Sequence, residues 1–122
     1  LNQYYQKEIG ECHINTVFDC PSDTITINGN ADQLSKTMMN LLGNGIYAVV
    51  KQKKRVSDYQ PEIRLSAHAE NNNVVIKVRD NGTGIGENII HKIFDPFFTT
   101  KTTGEASGIG LYLSHEIVQN HR

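Results

Sequence analysis

The sequence predicts an α+β protein, a two-layer α/β sandwich with a mixed sheet and helices on one face. Three observations carry that expectation. Two pairs of short segments alternate apolar and polar residues, at 11–19 with 24–28 and at 62–70 with 74–79. Between the pairs, one long segment repeats apolar residues at helical spacing. After the second pair, a glycine- and threonine-rich stretch leads into a last helical segment. Strands and helices in the order ββ-α-ββ-loop-α bury their apolar faces most simply as one sheet backed by helices.

Each element has its own signal. ECHINTVFD, residues 11–19, alternates as a strand, and Pro21-Ser22-Asp23 turns the chain. TITIN, 24–28, is short and β-branched, and Asn28-Gly29-Asn30 turns it again. A helix is expected from about Asp32 to Gln52, capped by Asn30 or Asp32, with Leu34, Met38, Leu41, Leu42, Ile46 and Val49 on its apolar face. Gly43 and Gly45 are unfavourable inside it, each by roughly 1 kcal/mol against alanine. Two glycines so close imply that something packs on bare helix backbone. A polar stretch ending at Pro61 precedes EIRLSAHAE, 62–70, with Ile63, Leu65 and Ala67 on one face. Asn71-Asn72-Asn73 signals a hairpin turn. Residues 87–93 suit a short helix, 94–107 a long loop of a length that is uncommon and often functional, and 108–120 the last helix.

Composition narrows the function classes. The 122 residues are one domain's worth, and 38% apolar with 20% charged residues can build one core. A net charge of −1 gives no electrostatic reason for a nucleic-acid or anionic-membrane partner. Lys51, Lys53, Lys54 and Arg55 form a basic run that suits the C-terminal end of a helix. No apolar run is long enough to span a bilayer, and LNQYYQKE does not read as a secretory leader. Cys12 and Cys20, the two cysteines, are expected on one strand, too far apart to bond, and mostly buried and reduced, as in a cytoplasmic protein. His13 beside Cys12 lacks the companions of a metal site, and His115 reads as a surface or packing histidine.

Standard phosphate loops are absent. G-x-x-x-x-G-K-[ST] fails because Ile109 stands five past Gly104, and G-x-G-x-x-G fails at Glu87 and Leu113. Three other features are chemically suggestive. Asn40 and Asn44, four apart on the long helix, share a face and can offer amide oxygens to a hard cation, or bond backbone and solvent instead. Asp80 ends a strand before Gly82, Gly84 and Gly86. It can accept from an exocyclic amine beside closely approaching backbone, or be a solvated acid in a tight loop. GEASGIGL, 104–111, opens a helix whose free N–H groups favour phosphate, or is a plain loop feeding a helix.

NLLGN (40–44), DNGTGIG (80–86), FDPFFTTK (94–101) and GIGL (108–111), in this order, resemble the boxes of the ATP-binding catalytic domain of sensor histidine kinases. That domain belongs to the GHKL superfamily of Bergerat-fold proteins, shared with gyrase, a heat-shock chaperone and mismatch-repair ATPases. The resemblance covers about residues 30–120 and implies one domain over 1–122. It implies ATP and magnesium as cofactors, with Asn44 ligating the metal and Asn40 supporting the metal or its waters. Asp80 would read the adenine amine, and Gly82 and Gly84 would bring backbone beside the ring. Phe94, Phe97 and Phe98 would anchor a mobile lid. Thr99, Thr100 and Lys101 would approach the phosphates, Gly108 and Gly110 would cradle them, and Leu111 would lie beside the nucleotide. Asn40 and Lys101 are the residues that would act in catalysis.

The resemblance also implies a reaction. Hydrolytic relatives place a glutamate four residues before the magnesium asparagine, as the base that activates water. Asn40 cannot take a proton at neutral pH, which favours phosphoryl transfer to histidine. The implied partners are a histidine-bearing dimerisation domain, on the same or a partner protomer, and a response regulator. Neither nucleic acid nor membrane contact is implied for this part, while its cytoplasmic location leaves a membrane anchor on the parent open. A hydrolytic GHKL ATPase, or a nucleotide-binding or interaction module without turnover, stands as the alternative.

Three positions depart from the family pattern. Gly45 stands where alanine is usual. Tyr47 stands where many members carry a basic residue near phosphate, so it either donates its hydroxyl there or packs in the core, and Lys51 could replace the charge. Past the last helix the family adds two strands that this sequence lacks; without them the helix and the sheet edge would expose apolar surface, so either the molecule is longer, another chain covers the gap, or the domain is marginal.

Overall fold

The computed structural model describes residues 9–96, 98 and 110–121. Its elements are strand β1 (Asn15–Asp19), helix α1 (Ala31–Arg55), strands β2 (Glu62–Glu70) and β3 (Asn73–Asp80), a 3₁₀ turn (Ile90–Lys92) and helix α2 (Gly110–Gln119). They form two compact units. One holds Leu1–Ile27 with Leu42–Gly84, and the other holds Asn28–Leu41 with Ile85–Arg122. Helix α1 runs through both.

The first unit contains the sheet, ordered β1-β2-β3. β1 is parallel to β2, with Thr16 opposite Ile63 and Phe18 opposite Leu65. Parallel neighbours need a long crossover, and α1 supplies it. β2 and β3 are antiparallel, with Ile63 opposite Asp80 and Leu65 opposite Val78. Their two-residue loop is Asn71-Asn72, both at positive φ (50° and 67°). That geometry suits a primed hairpin turn, and asparagine tolerates it better than most residues. Asn73 therefore belongs to β3 and not to the turn.

The sheet is mixed with a helix on one face, as the sequence predicts. Leu42, Ile46 and Val49 of α1 pack with Ile63 of β2 and with Ile14, all at most 6% exposed. Leu42, Ile46 and Val49 are spaced i, i+4, i+7, one stripe of a helix. Ile63 is fully buried, and Leu65 and Ala67 on the same face are half-buried.

Two strand expectations change. β1 starts at Asn15, not at residue 11. Residues 9–12 are helical, Ile14 N–H bonds Ile9 O at 3.1 Å, and His13 at φ 52° ends that turn. Cys12 consequently leaves the strand and is half-buried, while Cys20, past β1, is exposed; both are free thiols. TITIN is not in a strand, and Ile27 is 50% exposed. β-branched composition describes fitness for a pleated surface and does not create a neighbour to pair with. Helix α1 extends to Arg55, three residues beyond Gln52. Lys53 Nζ donates to Ser57 O (2.8 Å) and Tyr59 O (2.9 Å), so one cation of the basic run fastens the chain leaving the helix.

In the second unit, Asn30 caps α1. Its side-chain oxygen accepts from Gln33 N–H at 3.0 Å, and its carbonyl accepts from Leu34 N–H. His121 follows α2 and reaches the same cap. Its Nδ1–H donates to Ile117 O (2.7 Å), and its Nε2 accepts from Asn30 N–H (3.0 Å). Those two bonds require a neutral ring with its proton on Nδ1. A Cβ at Gly29 would lie 2.7 Å from His121 Cδ2, so the glycine makes room for the imidazole. Residues 87–93, expected as a short helix, contain only the 3₁₀ turn.

Truncating Ile63 to alanine is expected to destabilise the protein by roughly 3 kcal/mol. Ile76→Ala, at a position 47% exposed, should change stability by less than about 1 kcal/mol. Chemical denaturation midpoints of the two variants check the contrast.

Candidate functional site

In the first unit the end of β3 meets the middle of α1. Asp80 pairs with Ile63 across the ladder and so shares its helix-facing side. Gly45, the residue after Asn44, is buried there: a Cβ on it would stand 3.6 Å from Asp80 Cβ, 3.8 Å from Asp80 Oδ2 and 3.1 Å from Ile63 Cδ1. Something does pack on the glycine backbone of the helix: the end of the Ile63 side chain, and beside it the acid. Alanine, the family's usual residue, would fit at Gly45 with a shift of a few tenths of an ångström.

Past Asp80 the chain turns tightly. Asp80 Oδ1 accepts Gly82 N–H at 2.8 Å. A Cβ on Gly82 would come within 2.5 Å of Ala48 C and 2.7 Å of its carbonyl oxygen. The first loop glycine is thus demanded by helix contact, a reason distinct from ring approach. Gly84 has open space around it but sits at φ 74°, where glycine is favoured. Asp80 and Gly84 are exposed, and Asn44 is half-buried.

Sequence reasoning missed Asn81. Its side-chain oxygen accepts from Tyr59 Oη–H (2.7 Å) and Glu62 N–H (2.8 Å), and its amide nitrogen donates to Gln60 O (2.9 Å). The amide binds the turn to residues 59–62. No periodicity announces this; an asparagine between an acid and a glycine is an ordinary turn residue. Tyr59 packs its ring on the core cluster. Burial raises its phenol above the ordinary value of 10.0, and the Asp80 charge raises it further.

In the second unit, Asn40 Nδ2 donates to Ser114 Oγ of α2 at 3.1 Å, and Ser114 is buried. A Cβ on Gly110 would overlap Asn40 Oδ1. One end of the Asn40 amide thus bonds α2, and the other faces its first residue. Leu111 and Phe98 are half-buried. Phe94, 45% exposed, lays its ring 5.1 Å from that of His115. Tyr47, in the first unit, is half-buried with Lys51 Nζ 6.0 Å from its ring centre. Phe97, Thr99, Thr100, Lys101 and Gly108 lie outside the described residues. Among the described residues no three His, Cys, Asp or Glu side chains gather as a metal site.

Comparisons with known proteins bear on this arrangement. Residues 29–122 match the family model described as histidine kinase-, DNA gyrase B-, and HSP90-like ATPase. The chain is 39% identical over 106 residues to the two-component sensor PprA of Pseudomonas aeruginosa, a stretch that is 84% of this chain and 11% of that protein. It is 31% identical over 113 residues to the signal transduction histidine-protein kinase AtoS of Escherichia coli, covering 92% of this chain and 17% of AtoS. The chain therefore spans less than a fifth of either relative. The solved catalytic domain of histidine kinase ThkA superposes with a TM-score of 0.79 at 24% identity, over 98% of this chain and 72% of that one. ThkA solved in complex with the response regulator protein TrrA superposes with a TM-score of 0.73 at 21% identity, over 98% of this chain and 31% of that one. Both superpositions concern the fold.

Two predictions follow from the loop geometry. Gly82→Ala should destabilise by roughly 1–3 kcal/mol, because the methyl meets helix backbone that cannot step aside. Gly86→Ala meets the end of the Asn88 side chain and should stay within about 0.5 kcal/mol. Thermal unfolding distinguishes them. Tyr59 holds its proton more tightly folded than unfolded, so its share of stability is intact below the ordinary tyrosine value and is lost as pH rises through the raised one. Asp80→Asn removes the second cause. Tyrosinate absorbance, taken as a difference from Tyr59→Phe, should then show Tyr59 ionising at lower pH.

Proposed function

The chain belongs to the histidine kinase-, DNA gyrase B-, and HSP90-like ATPase family, as an ATP-binding catalytic domain of the sensor histidine kinase kind, and from that premise we propose that it binds ATP with magnesium and passes the γ-phosphate to a histidine on a separate dimerisation domain. One observation carries the reading. The Asp80 carboxylate rests on α1 against Gly45, next in sequence to Asn44. An acid suited to an amine and an amide suited to a hard cation stand on contacting elements of one unit.

Each role follows from the chemistry of the group. Asp80 accepts from the adenine amine with lone pairs beyond the one Gly82 N–H uses. The backbone of Gly82 and Gly84 runs beside the ring. Asn44, with support from Asn40, holds magnesium by amide oxygen. Phosphate oxygens and water complete the set of hard oxygen ligands that suits magnesium. Bound there, magnesium neutralises phosphate charge. Thr99, Thr100, Lys101, Gly108, Gly110 and Leu111 serve the nucleotide's phosphate end.

Asn40 offers no base for water, and its amide nitrogen is engaged by Ser114. A nucleophile that arrives as an imidazole needs no such base. Positioning and charge neutralisation then account for catalysis. The response regulator is the downstream partner, a role supported by the ThkA complex with TrrA. We place this part of the parent protein in the cytoplasm, which suits two free thiols. No helix among the described residues is long and apolar enough to cross a membrane.

Calorimetry with magnesium-ATP tests the reading. The chain should bind, and Asp80→Asn, which retains an acceptor for Gly82 N–H, should weaken binding roughly ten- to a hundred-fold. Absence of binding by the unaltered chain defeats the proposal. Incubated alone with γ-labelled ATP, the chain should take up no label; label on any of its own histidines contradicts an acceptor elsewhere.

A further inference from the structure

A carboxylate that reads an amine must be held in direction as well as in place, and the hydrogen bond that the Asp80 carboxylate accepts does not by itself set that direction. Its bond to Gly82 N–H is internal to the turn, so the two move together. The backbone of Asp80 is held by its ladder pairing with Ile63 and its side chain lies against Gly45, while the turn beyond it is tied to the rest of the unit by the close approach of Gly82 to Ala48 and by Asn81. The approach at Gly82 is a limit on distance and sets no direction. The Asn81 amide is directional at both ends, with three partners between 2.7 and 2.9 Å. A fourth bond runs from Asn81 N–H to Glu62 O at 3.3 Å.

Tyr59 is the fixed point of this set. Its ring packs on the cluster of Ile14, Leu42, Ile46, Val49 and Ile63. Its carbonyl accepts from Lys53 at the end of α1. Its hydroxyl then donates to Asn81. A continuous line of contacts joins the core to the residue flanked by Asp80 and Gly82.

We propose that Asn81 is a positioning residue for purine recognition, anchored by the Tyr59 hydroxyl, and that the pair sets the preference for adenine over guanine nucleotides. The inference rests on the nucleotide reading above. Adenine presents an amine where guanine presents a carbonyl oxygen. A carboxylate at hydrogen-bond distance attracts the first and repels the second, and both effects fade as the carboxylate shifts. Discrimination between the two purines thus measures how well Asp80 is placed, which overall stability does not.

The test is competition of ATP and GTP against a fluorescent trinitrophenyl-ATP probe on the whole chain. Asn81→Ala should weaken ATP roughly ten-fold, and Tyr59→Phe, which keeps the packed ring, about three-fold. GTP should change by less than about two-fold in both, so the ATP-to-GTP ratio falls. Equal losses for both nucleotides, or an unchanged ATP affinity, overturn the inference and leave Asn81 as a staple of the fold. Should Asn81→Ala not fold, Tyr59→Phe decides by the same ratio. Asp80→Asn is the reference. If it collapses the ratio while the other two variants preserve it, only this inference falls. If it too preserves the ratio, the nucleotide reading falls.

Discussion

The contact on which the first unit depends is backbone against backbone: the turn after β3 pressed on the middle of α1. Gly82 lies so close to Ala48 that no side chain fits between them. Three residues earlier on the helix, Gly45 leaves room for Asp80 and Ile63. Helix glycines are unfavourable by roughly 1 kcal/mol each, so their presence here needs a return elsewhere. The return is proximity. A side chain at Gly82 would hold the turn off the helix, whereas one methyl at Gly45 needs only a small shift of the Ile63 end. The buried core lies immediately beside this contact, since Ile63 belongs to both.

The second unit is organised by polar contacts around small residues. Asn30 starts α1 and receives His121 from beyond α2, with Gly29 leaving space for the ring. About two and three turns further along, Thr37 back-bonds to Gln33 O and Asn40 bonds Ser114. Thr37 and Ser114 are buried, and each has a hydrogen-bond partner or sits beside one. Buried polar groups cost little once paired, and the Asn40–Ser114 bond gives the meeting of the two helices a direction that apolar packing lacks. Gly110 contributes by being absent as a side chain, which lets the start of α2 approach Asn40.

The same asparagine bears on the chemistry. A carboxylate at position 40 could deprotonate water; an amide cannot. An amide can donate as well as accept, and Asn40 uses its donor on Ser114. Its place in the fold rests on that donor, and its place in the proposed reaction on the amide's lack of a basic site. Asn81 shows the same economy in the other unit, where both ends of an uncharged amide are engaged beside a charged neighbour.

By itself the sequence determined the class of fold, the long helix and the β2–β3 hairpin, and it singled out candidate site residues, because these follow from local periodicity and from residue types at short spacing. The alternation of Ile63, Leu65 and Ala67 and the helical stripe of Leu42, Ile46 and Val49 were legible for that reason, as were the paired asparagines and the acid before the glycines. The fate of TITIN was not legible, since a strand exists only where another offers its backbone. Nor was the start of β1, where a residue at positive φ closes a helical turn. Only the tertiary structure decided that Gly45 faces Asp80, that Gly82 answers to Ala48, and that Asn81 and Tyr59 form one anchor. Those pairs are separated by tens of residues, and what joins them is steric room and hydrogen-bond direction in three dimensions, quantities that a linear pattern does not carry.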